Sequence, residues 1–259
     1  MIITSLQNPS IKKIIELRAK ASKRKKENLC VVEGWIEIDI AIQSGFNPIA
    51  FYFEKDDENR FIEKYENRFQ NIINFVNSII TEKIATRKGE IIGLFECKNQ
   101  SEQELKLPEN PFVLILENIE KPGNLGSLFR TSDAAGVDLI ICTEMQTDIY
   151  NPNVIRNSLG TVFSNQIISL SNEETYAFCK RNKINVVTTY LHTISDYYHI
   201  NMKNATAIVM GNEHSGISDF WKENSNELVK IPMNGAIDSM NISNAAAIMM
   251  YEVVRQRNV

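Results

Sequence analysis

The chain has 259 residues, 43% of them hydrophobic, so it is long enough for one large or two ordinary domains and too apolar for wholesale disorder. It contains no run of about 18 apolar residues and begins without a long apolar stretch, so we expect neither a membrane span nor a signal peptide. The net charge of −4 argues weakly against a nucleic-acid partner.

The first half of the chain predicts a small α/β module. A helix begins at Asn8-Pro9 and repeats apolar residues at helical spacing. The stretches "LCVVEG", "IAFYFEK" and "IIGLFECK" read as strands, and "WIEIDIAIQSG" and "ENRFIEKYENRF" as helices between them. The polar stretch 98–111 contains two prolines and is interpreted as a linker. We therefore expect domains at residues 1–104 and 105–259.

The predicted first helix continues into a strongly basic segment between Lys12 and Lys26, where Glu16 is the one acidic residue. Local clustering of cations matters more for phosphate binding than the total charge of the chain. The segment is either a polyanion contact or a solvated helix face. The residues expected to bind RNA under the first interpretation are Lys12, Lys13, Lys23, Arg24, Lys25 and Lys26.

The second module alternates strands with helices, which is typical of a mostly parallel sheet with helices on both faces. The strands are predicted at 112–118, 137–143, 184–190, 205–210 and 227–231. The helices are predicted at about 124–135, 151–160, 172–182, 218–224 and 241–257. The cysteines (Cys30, Cys97, Cys142 and Cys179) lack metal or redox spacing, and packed, reduced thiols fit a cytoplasmic protein. The three histidines are not spaced as metal ligands, and no metal is expected.

Three turns that contain glycine and asparagine follow three of these strands: "KPGNLGSLFR", "IVMGNEHSGIS" and "KIPMNGAIDSMNIS". The carboxyl ends of parallel strands share one edge of a sheet, where ligands bind. The polar residues expected to form one composite site there are Asn124, Arg130, Asn212, Glu213, Ser239, Asn241 and Ser243.

Other interpretations of single residues stay open at this point. Arg130 could form a surface salt bridge with Asp133, and Glu213 could satisfy backbone N–H groups at a helix start. A dinucleotide site could use Glu144, but the glycine spacing of the first turn is wrong for it. The sequence contains no phosphate-binding P-loop and no catalytic triad.

The three turns together resemble the three motifs of the SpoU (TrmH) branch of the SPOUT RNA ribose 2′-O-methyltransferases, over residues 112–257. The first module resembles, more loosely, the small L30e-like RNA-binding domain that often precedes that catalytic domain. The resemblance implies a C-terminal trefoil knot, an exception to the unknotted folds of most proteins. It also implies a homodimer formed through the last helix and the first helix of the catalytic module.

The resemblance further implies transfer of a methyl group from S-adenosylmethionine to a ribose 2′-hydroxyl, in ribosomal RNA rather than tRNA. Backbone groups of Thr189, Gly211, Ile231 and Met240 would hold the cofactor. Asn124 and Asn241 would orient the ribose and Arg130, while Glu213 and Ser239 would hold that network. Arg130 is either the base or a phosphate clamp; a guanidinium resists deprotonation, which favours the clamp. The alternatives are a non-catalytic RNA-binding protein and a dinucleotide-dependent oxidoreductase.

Overall fold

The computed structural model describes residues 2–66, 68–87 and 89–258. The chain divides into two compact units, one of residues 1–98 with 150–164, and one of residues 99–149 with 165–259. Residues 150–164 therefore cluster with the first unit, although they lie between strands of the second unit in sequence. The domain limits of 1–104 and 105–259 stay a prediction.

The first unit is built on a five-stranded mixed sheet with the strand order β1-β4-β3-β5-β2. Its strands are β1 (Ile2–Ile3), β2 (Leu29–Glu33), β3 (Pro48–Glu54), β4 (Ile73–Val76) and β5 (Ile92–Glu96). Its helices are α1 (Pro9–Ala19), α2 (Ala21–Glu27), α3 (Trp35–Gln43), α4 (Glu58–Tyr65), α5 (Ser78–Ile84), α7 (Pro152–Asn157) and α8 (Thr161–Ser164). Four of these features were not expected from the sequence: β1, β4, α5 and the break between α1 and α2.

The basic segment forms two helices because the chain is extended at Lys20. Asn8 caps the start of α1, where its side chain accepts the N–H of Ser10, and Pro9 occupies the first turn. The side chain of Arg24 folds back from α2, and its Nη1 donates to the carbonyl of Leu17 at 2.5 Å. This bond satisfies a carbonyl of the last turn of α1, which no helical N–H can reach.

Residues 150–164 join the first unit through aromatic packing. The ring of Phe46 lies 4.8 Å from that of Phe163 and 6.2 Å from that of Tyr150 between centroids, both edge to face. The hydroxyl of Tyr150 also donates to the carbonyl of Lys98 at 2.6 Å. Such aromatic pairs add to the stabilisation that burial alone provides.

The second unit is built on a six-stranded sheet with the order β11-β9-β10-β6-β7-β8, and every strand pair in it is parallel. Its strands are β6 (Phe112–Glu117), β7 (Leu139–Thr143), β8 (Ile167–Leu170), β9 (Asn185–Thr189), β10 (Thr206–Met210) and β11 (Glu227–Val229). Its helices are α6 (Pro122–Ala135), α9 (Asn172–Arg181), α10 (Asp219–Asn224) and α11 (Ile242–Arg257). The predicted α/β class is confirmed, whereas the trefoil knot stays a prediction.

Both faces of this sheet are buried, and successive side chains along its central strands point to opposite faces. Val113 and Ile115 of β6 share a fully buried cluster with Phe178 of α9 and Trp221 of α10. Leu114, between them, is equally buried on the opposite face, and α11 packs against both α6 and β10. Burial on two faces explains why these strands are continuous apolar runs rather than alternating ones. Within the described ranges, no helix is long and apolar enough to span a bilayer.

Candidate active site

The carboxyl ends of β6 and β10 meet in the middle of the six-stranded sheet. From β6 the chain continues to β7 and β8 on one side, whereas β9, β10 and β11 lie on the other side. The crevice between β6 and β10 is therefore the point where the strand order reverses, and open α/β sheets bind ligands at such points. The turns that follow these two strands carry Asn124 and Glu213.

The loop after β10 is held by its own backbone and by Asn212. Asn212 and Gly216 exchange backbone hydrogen bonds of 2.9 and 3.0 Å, and the Asn212 side-chain oxygen accepts two further N–H groups within the loop. Gly211 lies so close to Gly216 that an added Cβ would be 2.4 Å from the Gly216 carbonyl carbon. Nδ2 of Asn212 donates to the carbonyl of Asn118 at 2.9 Å, which ties the loop to the end of β6.

Glu213 is the acceptor that joins this loop to the first motif. Its carboxylate accepts a 2.8 Å hydrogen bond from Nδ2 of Asn124 and longer bonds, 3.3 and 3.4 Å, from the backbone N–H groups of Glu120 and Lys121. Partial burial raises the pKa of Glu213, but these hydrogen bonds together outweigh it and hold the pKa below its ordinary value. Glu213 is therefore a charged acceptor at neutral pH.

The position of Glu213 also bears on the dinucleotide alternative. Its carboxylate accepts the N–H groups of the two residues that directly precede α6, next to the helix start where a nucleotide-binding fold would receive a pyrophosphate. The chain thus places its own anion where a dinucleotide would place a phosphate. Glu213 does satisfy backbone N–H groups, but they belong to the two residues before α6 of the first motif rather than to the helix that follows Glu213.

Asn124 is the centre of the network that connects the three motifs. Besides donating to Glu213, its side-chain oxygen accepts Nδ2 of Asn241 at 3.2 Å, and its backbone carbonyl lies 3.4 Å from the hydroxyl of Ser243. Asn241 also caps α11, since its Oδ1 accepts the N–H of Ser243 at 2.8 Å. The structure therefore brings Asn124, Glu213 and Asn241 together, as the sequence analysis expected.

Arg130 is exposed on α6, less than two helical turns beyond Asn124. Across residues 2–66, 68–87 and 89–258, its guanidinium takes part in no hydrogen bond and no ion pair, so the surface salt bridge with Asp133 does not form. A guanidinium without an internal partner keeps its donors available for an anion from outside the chain.

Ser239 is not part of the hydrogen-bond network. It lies in the irregular segment 231–240, most of which is exposed. The backbone and side chains of this segment form no hydrogen bond to any other described residue. The role predicted for Ser239, that of holding the network with Glu213, stays a prediction.

The residues expected to hold a cofactor lie along neighbouring strand ends. Thr189 ends β9, where it pairs with Val229 of β11, and its hydroxyl donates to the carbonyl of Val209 in β10 at 3.0 Å. Gly211 directly follows β10, and Ile231 follows β11 by two residues. Three of the four residues therefore lie at one edge of three adjacent strands, and Met240 lies at the end of the segment 231–240.

The basic side chains of the segment between Lys12 and Lys26 differ in their pairing and burial, and three groups can be distinguished. Lys13 and Lys23 form ion pairs with Glu27 at 2.7 Å, and Lys23 also pairs with Glu16 at 3.1 Å. The guanidinium of Arg24 is only 3% exposed and caps α1, which removes it from the predicted RNA contact. The exposed lysines with no ion pair inside the described chain, termed the open lysines, are Lys12, Lys20, Lys25 and Lys26.

Two residues at the end of β6 hold the site but were not predicted from the sequence, Glu117 and Asn118. An acidic residue at the end of the apolar run "FVLILE" was the available signal, since a buried carboxylate needs a structural reason. No group of three or more His, Cys, Asp or Glu side chains suited to a metal ion occurs in the described ranges.

Two family models match the chain. Residues 111–251 match the model of the SpoU rRNA Methylase family, and residues 8–89 match that of the MRM3-like substrate binding domain. The first match contains all three motifs and the network around Asn124. The second contains the basic segment.

Two similar proteins are named as RNA methyltransferases. The 23S rRNA (guanosine-2′-O-)-methyltransferase RlmB of Neisseria meningitidis is 30% identical over 97% of this chain and 90% of that protein. A Staphylococcus aureus protein named as a member of the TrmH family of tRNA/rRNA methyltransferases is 36% identical over 62% of this chain. The match spans 64% of the length of that staphylococcal protein, which is under two thirds.

Two solved structures share the whole architecture. The crystal structure of an RNA 2′-O ribose methyltransferase superimposes with a TM-score of 0.87 at 31% identity, over 100% of both chains. The AdoMet-bound rRNA methyltransferase of Sinorhizobium meliloti superimposes with a TM-score of 0.88 at 27% identity, over 98% of this chain and 97% of that one.

Proposed function

The chain belongs to the SpoU rRNA Methylase family, and on that premise we propose that it transfers a methyl group from S-adenosylmethionine to a ribose 2′-hydroxyl of RNA. The observation that carries the proposal is the bonded network of Glu213, Asn124 and Asn241, with Arg130 less than two turns farther along α6 and without a partner among the described residues. Asn124 of the first motif thus bonds to one residue of each of the other two motifs at the point where the strand order reverses.

Ribosomal RNA is the proposed substrate in preference to tRNA. The relative that matches almost the whole chain, RlmB, is named for a 23S rRNA guanosine. The first unit, which matches a substrate binding domain, carries the open lysines on α1, on α2 and at the break between them. A non-catalytic RNA-binding protein would have no need to hold Glu213 and Asn124 in a fixed geometry, and an oxidoreductase would need the start of α6 for its dinucleotide.

The strand ends fit S-adenosylmethionine as a group bound mainly by backbone. Gly211 leaves no room for a side chain against Gly216, and the segment 231–240 offers N–H and C=O groups that bond to nothing else in the described chain. Thr189, Gly211, Ile231 and Met240 would hold the cofactor. When bound, it supplies a methyl group on a sulfonium, which is already a good electrophile.

The residues of the chain then have to bind, orient and help to deprotonate the ribose hydroxyl. We assign Arg130 to the adjoining RNA phosphate, because its planar guanidinium binds phosphate through two parallel hydrogen bonds. A cation at that position also stabilises negative charge that develops on the hydroxyl oxygen. Glu213 fixes Asn124, and Asn124 in turn fixes Asn241 at the start of α11.

We also propose a homodimer that forms through the second unit. On α11, Tyr251 is half exposed and Ile248 and Val254 are partly exposed, so an apolar strip remains on this helix after it packs against α6. An amphipathic helix with apolar residues beyond its buried face requires a further partner.

The decisive experiment compares total RNA from cells with and without the gene by mass mapping of ribose methylation. Purified protein should bind S-adenosylmethionine and not NADH in equilibrium titrations. Arg130→Ala should abolish methyl transfer and leave cofactor affinity within a few-fold, because Arg130 lies on the substrate side of the network. The matched control is Arg181→Ala, since Arg181 is an exposed arginine at the far end of α9. Near-normal turnover of Arg130→Ala on its RNA would show that the assigned role is wrong.

A further inference from the structure

Glu117 is an acidic residue at the end of the apolar strand β6. Its side chain is only 4% exposed, and no lysine or arginine of the described ranges pairs with it. Burying a carboxyl group without a cation is costly, and an apolar residue would extend the run "FVLIL" without that cost. The position therefore needs a reason other than stability.

Hydrogen bonds use both oxygens of Glu117. Oε1 accepts Nδ2 of Asn172 at 2.8 Å, and Oε2 accepts the backbone N–H of Ser218 at 2.8 Å. Oδ1 of Asn172 in turn accepts the indole N–H of Trp221 at 2.9 Å. Because Trp221 can only donate, Asn172 must present its oxygen to Trp221 and its NH₂ group to Glu117. The direction of every bond in this buried chain is thus fixed.

The end of β6 holds both ends of the loop that carries Glu213. The carbonyl of Asn118 accepts the side chain of Asn212 at the start of the loop, and the carboxylate of Glu117 accepts the N–H of Ser218 at its end. Glu213, between these two anchors, reaches back to the residues that directly follow β6. The loop and the first motif therefore position each other.

We propose that Glu117 is a positioning residue for methyl transfer, which sets the place of Glu213, and through it Asn124, by holding the loop 212–218 at Ser218. The inference rests on the proposed function. Glu117 touches neither substrate nor cofactor in this proposal, and its effect on the rate passes through Glu213.

The bond directions predict how substitutions behave. Glu117→Gln keeps the size of the side chain but replaces one of its two acceptor oxygens with an NH₂ group. This NH₂ group faces either the N–H of Ser218, which then loses its acceptor, or the NH₂ of Asn172, which repels it and displaces the side chain at position 117. Both outcomes weaken the bond to Ser218. Asn172→Asp alone would place a second carboxylate against Glu117, and the two would repel. The double variant Glu117→Gln/Asn172→Asp restores complementarity. The amide now at position 117 can accept from Ser218 and donate to the carboxylate now at position 172, which still accepts from Trp221.

The test measures kcat, RNA affinity and cofactor affinity for these variants. A displacement of Glu213 should lower kcat of Glu117→Gln by roughly tenfold or more, since a misplacement of about 1 Å can cost about 100-fold. Both affinities should stay within a few-fold of wild type. The double variant should recover most of the lost kcat. Glu173→Gln is the matched control, since Glu173 is exposed beside Asn172 on α9, and it should change nothing.

A double-mutant cycle of Glu117→Gln and Glu213→Gln distinguishes positioning of Glu213 from a general loss of structure. In the background of Glu213→Gln, the further change Glu117→Gln should have almost no effect on kcat, because the group through which it acts is already gone. Three results would each overturn the proposal. The first is an equal loss of kcat on adding Glu117→Gln to wild type and to Glu213→Gln, and the second is an unchanged kcat in Glu117→Gln. The third is a kcat of the Glu117→Gln/Asn172→Asp variant no higher than the losses of the two single variants multiplied together would give.

Amide hydrogen exchange tests whether Glu117 holds the loop 212–218 independently of whether the protein transfers methyl groups. The N–H of Ser218 should exchange faster in Glu117→Gln and recover in the double variant, whatever reaction the protein performs. If wild type transfers no methyl group but this exchange pattern holds, the proposed function fails and the positioning of the loop stands. If wild type is active and exchange at Ser218 is unchanged, the positioning role of Glu117 fails alone.

Discussion

Replacing all four open lysines by glutamine is expected to weaken RNA binding and to flatten its dependence on salt. These side chains are exposed, and their charge is balanced by solvent rather than by an acidic neighbour within the described chain. Lys13 and Lys23 are different, because Glu27 accepts both of them and its pKa falls to about 2 as a result. Part of the charge of the segment is therefore already neutralised.

The size of the effect follows from counterion release. Each phosphate contact contributes about 0.7 to the slope of log K against log salt on single-stranded RNA and about 0.9 on a B-form duplex. If every open lysine contacts one phosphate, the slope should flatten by roughly 3. The thermal midpoint should hardly change, since exposed lysines on a helix contribute little to stability.

Fluorescence anisotropy with labelled RNA at several salt concentrations measures this slope. The matched control is Arg24→Gln, which removes one positive charge from the same segment. It should leave the slope almost unchanged and lower the free energy of unfolding by about 1–3 kcal/mol, because it removes the buried donor to the Leu17 carbonyl. An unchanged slope in the lysine variant would refute the RNA contact and leave these residues as a solvated helix face.

Three further predictions concern the second unit. The lowered pKa of Glu213 means that its carboxylate stabilises the fold fully above the ordinary value of 4.5, and that this contribution is lost as the pH falls through the folded-state pKa. Thermal unfolding of Glu213→Gln should therefore show a lower midpoint than wild type at neutral pH and a shrinking difference below pH 4.5. Gly211→Ala should abolish cofactor binding in calorimetry, because its Cβ would clash with the backbone of Gly216; wild-type affinity would contradict this. Sedimentation equilibrium should show a dimer that Tyr251→Lys dissociates, and a fully active monomeric wild type would remove the proposed interface.

The elements that the sequence predicted best are those whose signal is local. The strands of the second unit with long apolar runs, such as "FVLILE" and "TAIVM", lie within a few residues of their predicted limits. The four-residue strand β8 was missed, because "IISL" is too short to separate from a loop by periodicity. The break at Lys20 was missed because a side-chain bond across it, from Arg24 to the carbonyl of Leu17, stabilises it, and helical periodicity does not reveal such a bond.

The candidate site likewise has features that were predictable from the sequence and features that were not. Strand-helix alternation was enough to gather the three motifs at one sheet edge, because parallel strands place their carboxyl ends together. Which side chains then pair was not predictable, since Asn124 and Glu213 are 89 positions apart and only the strand order makes them neighbours. The exclusion of Arg24 from the RNA contact likewise depends on its burial in three dimensions rather than on its charge in the sequence.

The first turn of the second unit begins like a nucleotide-binding turn, and the structure gives a physical reason why it does not serve as one. The start of α6 attracts an anion, and Glu213, bonded to the N–H groups of the two residues just before the helix, supplies one from within the chain. A phosphate from a ligand would meet a carboxylate there and be repelled. Binding of an external phosphate must then use a cation farther along the helix. Arg130 is exposed there, and it has no partner within the part of the chain that the structure describes. The asparagine and the arginine of this turn thus have complementary roles: Asn124 completes the internal contacts of the carboxylate, and Arg130 receives the phosphate that the helix start cannot.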